Sequence, residues 1–149
     1  PAQPGPIVSA DGDELGEHDG LMYHTIGQRQ GLRIGGLANR PEAPWYVVDK
    51  RVADNVLVVA QGNGHPALFK TQLTATGVIW ISGEPPKLPL TCHAKIRYRQ
   101  ADQACEISVS GSKVQVSFTA PQRAVTPGQS VVFYEGDICL GGGVIEAAQ

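Results

Sequence analysis

Four nitrogen-bearing side chains alternate along residues 91–99 in a pattern that suits a phosphate-bearing ligand. His93, Lys95, Arg97 and Arg99 are each two residues apart, with no acidic residue between them. Side chains two apart on a strand point the same way and lie about 6.8 Å from each other. A strand here would therefore present a row of donors. Lys and Arg neutralise the phosphates of nucleic acids, so this spacing favours RNA binding.

The same segment has an apolar face, formed by Leu90, Cys92, Ala94, Ile96 and Tyr98. Tyr98 stands between two arginines, and single-stranded RNA bases stack on aromatic rings and guanidinium planes. The alternative is a solvated basic face paired with acids of a neighbouring strand, such as Glu106. Residues 81–149 carry six basic and six acidic residues, so charge alone does not decide between them.

No cysteine or histidine pattern indicates a self-sufficient active site. Cys92 and Cys105 fall on apolar faces of predicted strands and Cys139 stands between two aliphatic residues, so all three are predicted to be structural. None forms a C-x-x-C pair. The four histidines have no metal-ligand spacing, and there is no G-x-S-x-G motif to position a serine nucleophile. The four are His18, His24, His65 and His93.

Composition predicts a folded, mainly β protein. The 149 residues include 14 acidic and 12 basic residues for a net charge of −2, with 42% hydrophobic and 17% charged residues, which excludes disorder. Eighteen Gly and 11 Pro residues separate short Val- and Ile-rich runs, as turns separate strands. No apolar run is long enough for a membrane span, and no signal peptide is evident.

Two domains are predicted. Residues 1–70 form a partly irregular domain, with strands near 6–9, 45–49 and 55–60, a solvated acidic turn over 11–19 and a short helix from about Leu21 to Gly31. The glycine-rich stretch 31–36 matches neither a phosphate loop nor a dinucleotide fingerprint. Residues 71–149 contain six short strands, including one over 91–99, and a Thr126–Gln129 type II turn. They predict a six-stranded antiparallel β-barrel.

Five ordered sequence blocks resemble one known family. They are GEHDGLMYHTIGQRQGL (16–32), WYVVD (45–49), KIRYR (95–99), PQRAVTPGQ (121–129) and CLGGG (139–143). Together they closely resemble the C-terminal portion of the bacterial tRNA-specific 2-thiouridylases, which are tRNA-uridine 2-sulfurtransferases. The resemblance covers nearly the whole chain. It implies a small central domain followed by a β-barrel similar to those of translation factors.

The resemblance implies an activity carried mostly by sequence that this chain does not contain. Members of the family use ATP and magnesium to adenylate the wobble uridine, and a persulfide from a sulfur-relay protein then displaces AMP to form 2-thiouridine. Neither the phosphate loop nor the two sulfur-handling cysteines of the family matches this sequence. The chain begins without Met in a Pro-rich stretch, which agrees with a piece of a longer cytoplasmic enzyme.

Within the family, Arg97, Tyr98 and Gln129 match positions that contact tRNA. The resemblance and the basic alternation thus meet on the 91–99 segment and predict a tRNA-binding barrel with no catalytic residue of its own. Gln28 and Arg29 are second-rank candidates, for which packing against another domain is an equal alternative. A different class of function stays open, namely a protein-interaction domain that docks the sulfur donor or another subunit.

Overall fold

The protein divides into two compact units, Pro1–Phe69 and Lys70–Gln149. The fold is known from a computed structural model, which describes residues 1–29, 31, 32, 34 and 42–149. Half of the glycine-rich stretch 31–36 lies outside these residues. No helix within the described ranges has the length and apolar character needed to cross a membrane.

The first unit is built on a four-stranded mixed sheet. Its strands are β1 (Gly5–Ser9), β2 (Glu14–His18), β3 (Trp45–Arg51) and β4 (Val56–Gln61), in the order β2-β1-β4-β3. β1 pairs antiparallel with β2 and parallel with β4, whereas β3 and β4 are antiparallel. The predicted strands near 6–9, 45–49 and 55–60 are all present.

Two local predictions for this unit are wrong. The acidic segment contains strand β2 as well as a turn at residues 10–12, because the backbone of Ser9 and Asp13 closes a hairpin (N···O 2.8 Å). The predicted helix is a single 3-10 turn, Leu21–Tyr23. Backbone hydrogen bonds of Gly27 and Gln28 to Val47 (2.8 and 2.9 Å) hold the following segment against β3, and this pairing replaces helical hydrogen bonds.

Apolar side chains on both faces of the sheet stabilise the first unit. Ile7, Val47, Leu57 and Val59 are fully buried and form one cluster. Leu68, in a second 3-10 turn (Pro66–Leu68), packs in another cluster with Val48 and Ala60. Burying a Val, Leu or Ile side chain contributes about 1.5–3 kcal/mol, so these residues account for the stability of a sheet this small.

The second unit is a closed six-stranded barrel, as the sequence predicts. Its strands are β5 (Phe69–Trp80), β6 (Leu90–Lys95), β7 (Gln103–Ser110), β8 (Lys113–Arg123), β9 (Ser130–Glu135) and β10 (Ile138–Ala148). They close in the order β10-β5-β8-β7-β6-β9. The interior is filled by alternating apolar side chains, of which Phe133, Ile107, Val116 and Ile145 are at most 1% exposed.

Candidate nucleic-acid interface

Strand β6 ends at Lys95, four residues earlier than the alternation predicts. Residues 96–100 leave the sheet, and the Gln100 side chain accepts a hydrogen bond from the backbone N–H of Ile96 (3.1 Å). The prediction of a continuous strand over 91–99 is therefore wrong beyond Lys95. Tyr98 does not continue the apolar face but is 94% exposed, because the chain turns here to reach β7.

The basic alternation is divided between the strand and this turn. His93 and Lys95 lie on β6 opposite Tyr134 and Val132 of β9, and the Lys95 ammonium lies 5.1 Å from the centre of the Tyr134 ring. Arg97 and Arg99 lie in the turn, where both are exposed. Glu106 faces Thr91 in the sheet register, towards the start of β6 and away from Arg97.

Arg97 connects this turn to the segment that follows β8. Its Nη2 donates hydrogen bonds to the carbonyl oxygens of Arg123 and of Ala124, the latter at 2.9 Å. Nη1 and Nε carry the other three of the five guanidinium N–H groups. Arg97 is thus held in one orientation by backbone carbonyls while its charge is not neutralised by them.

The electrostatic surroundings of Arg97 favour an added anion. Burial, and then the positive charge of Arg123, lower the pKa of Arg97 from its usual value. Both effects disfavour the positive charge of Arg97. A phosphate oxygen beside the two arginines would reverse the repulsion, and bidentate arginine–phosphate hydrogen bonds are among the stronger polar contacts in proteins.

Ala124 has a strained backbone at this junction. Its φ of +53° lies in the left-handed region, which few residues other than glycine adopt. Its carbonyl oxygen accepts hydrogen bonds from Arg97 Nη2 and from the Thr126 hydroxyl (2.9 and 2.8 Å). Strained residues of this kind persist where the surroundings hold them, and they concentrate at functional sites.

Three glutamines behind the turn form a network that the sequence analysis missed. Gln122 is 3% exposed. Its amide oxygen accepts from the Gln100 side chain (3.1 Å), and its amide nitrogen donates to Ala120 O (2.9 Å) and to the Gln103 side chain (3.3 Å). Glutamines at 100, 103 and 122 carry no periodic signal, because the pairing of β7 with β8 and the turn before β7 bring them together.

Gln129 lies in the second turn at this end of the barrel. Its backbone N–H donates to Thr126 O (3.2 Å) and Gly128 has a φ of +92°, as the predicted type II turn requires. Its carbonyl oxygen accepts from Ile145 N (2.8 Å), and the residue is exposed.

The structure thus brings Arg97, Tyr98 and Gln129 to one end of the barrel. Residues 96–102 connect β6 to β7 and residues 124–129 connect β8 to β9, so all these strand ends meet at that end. The second-rank candidates Gln28 and Arg29 belong to the first unit, where the Gln28 side chain bonds the Thr25 N–H (2.9 Å).

The buried cysteines have the structural setting that the sequence predicts. Cys92 and Cys105 are each 3% exposed, and their sulfur atoms are 3.8 Å apart across the β6–β7 pair. The hydrogen bond with Cys92, together with burial, raises the pKa of the Cys105 thiol far above its usual value. Cys139 is half-buried. A thiolate nucleophile at Cys105 is therefore strongly disfavoured.

Both units match models of known domain families. Residues 70–145 match the aminomethyltransferase beta-barrel domain, and residues 1–61 match the tRNA methyl transferase PRC-barrel domain. The barrel match alone covers more than half of the chain. The protein therefore belongs to the family defined by the aminomethyltransferase beta-barrel domain, which this chain combines with a tRNA methyl transferase PRC-barrel domain.

Three curated relatives that are similar to this chain share one name, tRNA-specific 2-thiouridylase MnmA. The chain is 61% identical over 147 residues to the tRNA-specific 2-thiouridylase MnmA of Hahella chejuensis and 60% identical over 149 residues to that of Marinomonas. It is 56% identical over 149 residues to that of Stutzerimonas stutzeri. These alignments cover 99–100% of this chain but only 38–40% of each relative.

Proposed function

We propose that this chain is the tRNA-holding C-terminal part of a tRNA 2-thiouridylase. The observation that carries the proposal is the end of the barrel where Tyr98, 94% exposed, directly follows Arg97, whose guanidinium is hydrogen-bonded to backbone carbonyls. The names of its relatives support tRNA as the partner.

In this role the barrel binds RNA without recognising its base sequence. Arg97 contacts a backbone phosphate and Tyr98 stacks on a base or packs on a ribose, while Gln129 adds a polar contact from the neighbouring turn. Phosphate contacts position a nucleic acid but carry little sequence information. Enzymes that modify a base must also expose it from its stack, and a fixed grip elsewhere on the tRNA holds the substrate while this happens.

The chemistry of thiolation belongs, in this proposal, to the part of the longer cytoplasmic enzyme that is not in this chain. That part binds ATP and magnesium and receives sulfur from the relay protein. Within the described ranges, no three His, Cys, Asp or Glu side chains are grouped to hold a metal ion. The role proposed for this chain involves neither magnesium nor ATP.

Fluorescence anisotropy with labelled tRNA tests the proposal over a range of salt concentrations. We expect Tyr98→Ala to weaken binding roughly tenfold, since one stacked base contributes about 1–3 kcal/mol. Arg97→Ala should weaken binding and lower the log–log salt slope by about one unit. Gln129→Ala should have a smaller effect with no change in slope.

Lys87→Ala is the matched control, because Lys87 is exposed and precedes the opposite end of β6. It removes one positive charge from the same unit and should leave affinity nearly unchanged. Urea unfolding of each variant separates lost contacts from lost structure, which matters for Arg97 because it also bonds the backbone. Equal effects of Lys87→Ala and Arg97→Ala would contradict the proposed interface.

A second candidate function is supported by apolar side chains elsewhere on the barrel. Ile79, Ile81 and Ile138 are 66–74% exposed and belong to the β5–β10 pair and its end, where Ile81 N donates to Leu140 O (3.0 Å). Exposed apolar residues in proximity suit a protein partner, such as the sulfur-relay donor. Absence of tRNA binding even at low salt would favour this candidate.

A further inference from the structure

The first unit contains a polar cavity of about 450 Å³ beside strands β1 and β2. Ile7 forms an apolar part of the cavity wall. Tyr23, which is 63% exposed, also lines the cavity. The other lining residues are mostly polar and come from β2 and the segment after the 3-10 turn. They include Glu17, His18, Asp19, His24 and Gln28.

His18 lines this cavity and has one ring nitrogen with no hydrogen-bond partner among the described residues. Its Nε2 lies 2.8 Å from the backbone carbonyl oxygen of Asn55. A carbonyl only accepts, so Nε2 must carry the proton, and in the neutral ring Nδ1 is an acceptor. His18 is 2% exposed, and its Nδ1 has no hydrogen-bond partner among the described residues. Such buried unsatisfied atoms are rare and call for an explanation.

Several contacts hold the backbone carbonyl group of Asn55 against the His18 ring. Asn55 adopts a left-handed backbone with φ of +59°, and its side chain donates to the carbonyl oxygens of Gln3 and Pro4 (3.1 and 3.0 Å). Any side chain at Gly5 would collide with the Asn55 carbonyl group and with His18 Nε2. These contacts fix the Asn55 carbonyl group against His18 Nε2.

His24 adds a neutral ring beside His18. Burial is the main cause of a lowered pKa for His24, and the positive charge of Lys50 adds to it. The Lys50 ammonium is held on the His24 carbonyl oxygen (2.8 Å), and the Gln28 amide lies 3.5 Å from His24 Nδ1. Because a lowered pKa keeps this imidazole uncharged at neutral pH, it does not repel a cation in the cavity.

The charge around the cavity selects a cation over an anion. Glu17 and Asp19 line it, and no Lys or Arg is among its described lining residues. Residues 1–28 contain five acids and no Lys or Arg. The negative charge of these carboxylates repels RNA phosphates. It favours a positively charged group with several N–H donors, and an aromatic ring such as Tyr23 gives a guanidinium a face to lie on.

We propose that this cavity binds the guanidinium group of an arginine side chain from another polypeptide segment. One N–H donates to His18 Nδ1, and the charge is met by Glu17 and Asp19. This site is separate from the proposed tRNA grip, which lies in the other unit, and each can fail without the other.

The test uses the ¹⁵N-labelled 149-residue chain and Nα-acetyl-arginine amide as the probe. We expect binding with a dissociation constant on the order of 1 mM, as for small polar ligands, with a shift of the His18 Nδ1 signal in long-range imidazole ¹H–¹⁵N spectra. Nα-acetyl-citrulline amide has the same shape without the charge. It should leave that signal in place at equal concentration.

Paired variants on β2 locate the site. Glu17→Gln should weaken binding of the arginine amide at least threefold, whereas Glu14→Gln on the same strand removes the same charge away from the cavity and should not. Both residues are exposed, and an unchanged His18 tautomer shows that the fold is kept.

Three outcomes would overturn the proposal. These are equal shifts from the arginine and citrulline amides, no shift of His18 Nδ1 with up to tens of millimolar probe, and equal effects of the two Glu variants. Stronger binding of guanosine than of the arginine amide would also overturn it, because the cavity would then be a nucleobase site.

Discussion

Cys92 and Cys105 face each other inside the barrel, where their side chains are part of its buried core. Both are 3% exposed, and they pair in register across β6 and β7. Sequence alternation placed each of them on an apolar face. Their contact with each other depends on the register of two strands, which alternation alone does not set.

We expect Cys92→Ser to destabilise the barrel by about 1–3 kcal/mol, the cost of burying a poorly bonded hydroxyl. Urea unfolding followed by amide NMR signals of residues 70–149 measures the loss without interference from the first unit. Cys139→Ser is the control, because Cys139 is only half-buried and should cost less. Equal unfolding midpoints for the two variants would show that burial at Cys92 is not what matters.

At the scale of the element, β10 depends on close backbone approach at its three glycines. A methyl group at Gly142 would lie 2.6 Å from the carbonyl oxygen of Val131 on β9. The pairing of β10 with β5 also shifts register between Gly142 and Val144. Strand glycines commonly mark such bulges and close approaches, and this one lets the barrel close.

Gly142→Ala should therefore destabilise the barrel by about 1–3 kcal/mol, the typical cost of overpacking. Gly64→Ala is the matched control, since a methyl group there would meet nothing within 4 Å and its effect should fall within about 0.5 kcal/mol. Thermal unfolding of the two variants gives the comparison. A Gly142→Ala protein as stable as the wild type would mean that β9 and β10 separate without cost.

Of two turns at this end of the barrel, one was predicted from the sequence and the other was missed. The Thr126–Gln129 turn was predicted because Pro and Gly have strong backbone preferences. The turn after Lys95 was missed, because the alternation of residues 91–99 continues past the point where hydrogen bonding ends. The side chain of Gln100 captures the Ile96 N–H, and that contact requires the folded turn.

At the scale of the whole molecule, charge is distributed unequally between the two units. Residues 1–69 carry eight acidic and five basic residues, and residues 70–149 carry six acidic and seven basic residues. The excess of one positive charge in the barrel is too small to bind RNA by itself. The proposed binding of tRNA therefore depends on the local arrangement around Arg97 rather than on net charge.

We expect the 149-residue chain to form no 2-thiouridine when incubated with tRNA, ATP, magnesium and a persulfide donor. Its sequence lacks the phosphate loop and the sulfur-handling cysteines that the family resemblance associates with thiolation. Nucleoside mass spectrometry of the recovered tRNA measures the product, with a full-length relative as the positive control. Thiolation by the chain alone would disprove the proposed division of roles.

The sequence by itself determined the β-barrel, the strands of the first unit except β2, the buried faces of Cys92 and Cys105 and the family. These follow from alternation, turn residues and ordered motifs, which are local properties of the chain. Only the tertiary structure decided that Arg97 bonds the Arg123 and Ala124 carbonyls, that Tyr98 faces solvent, and that His18 is fixed by Asn55. These contacts join residues 26–37 positions apart, and no local pattern encodes which distant backbone group a side chain will meet.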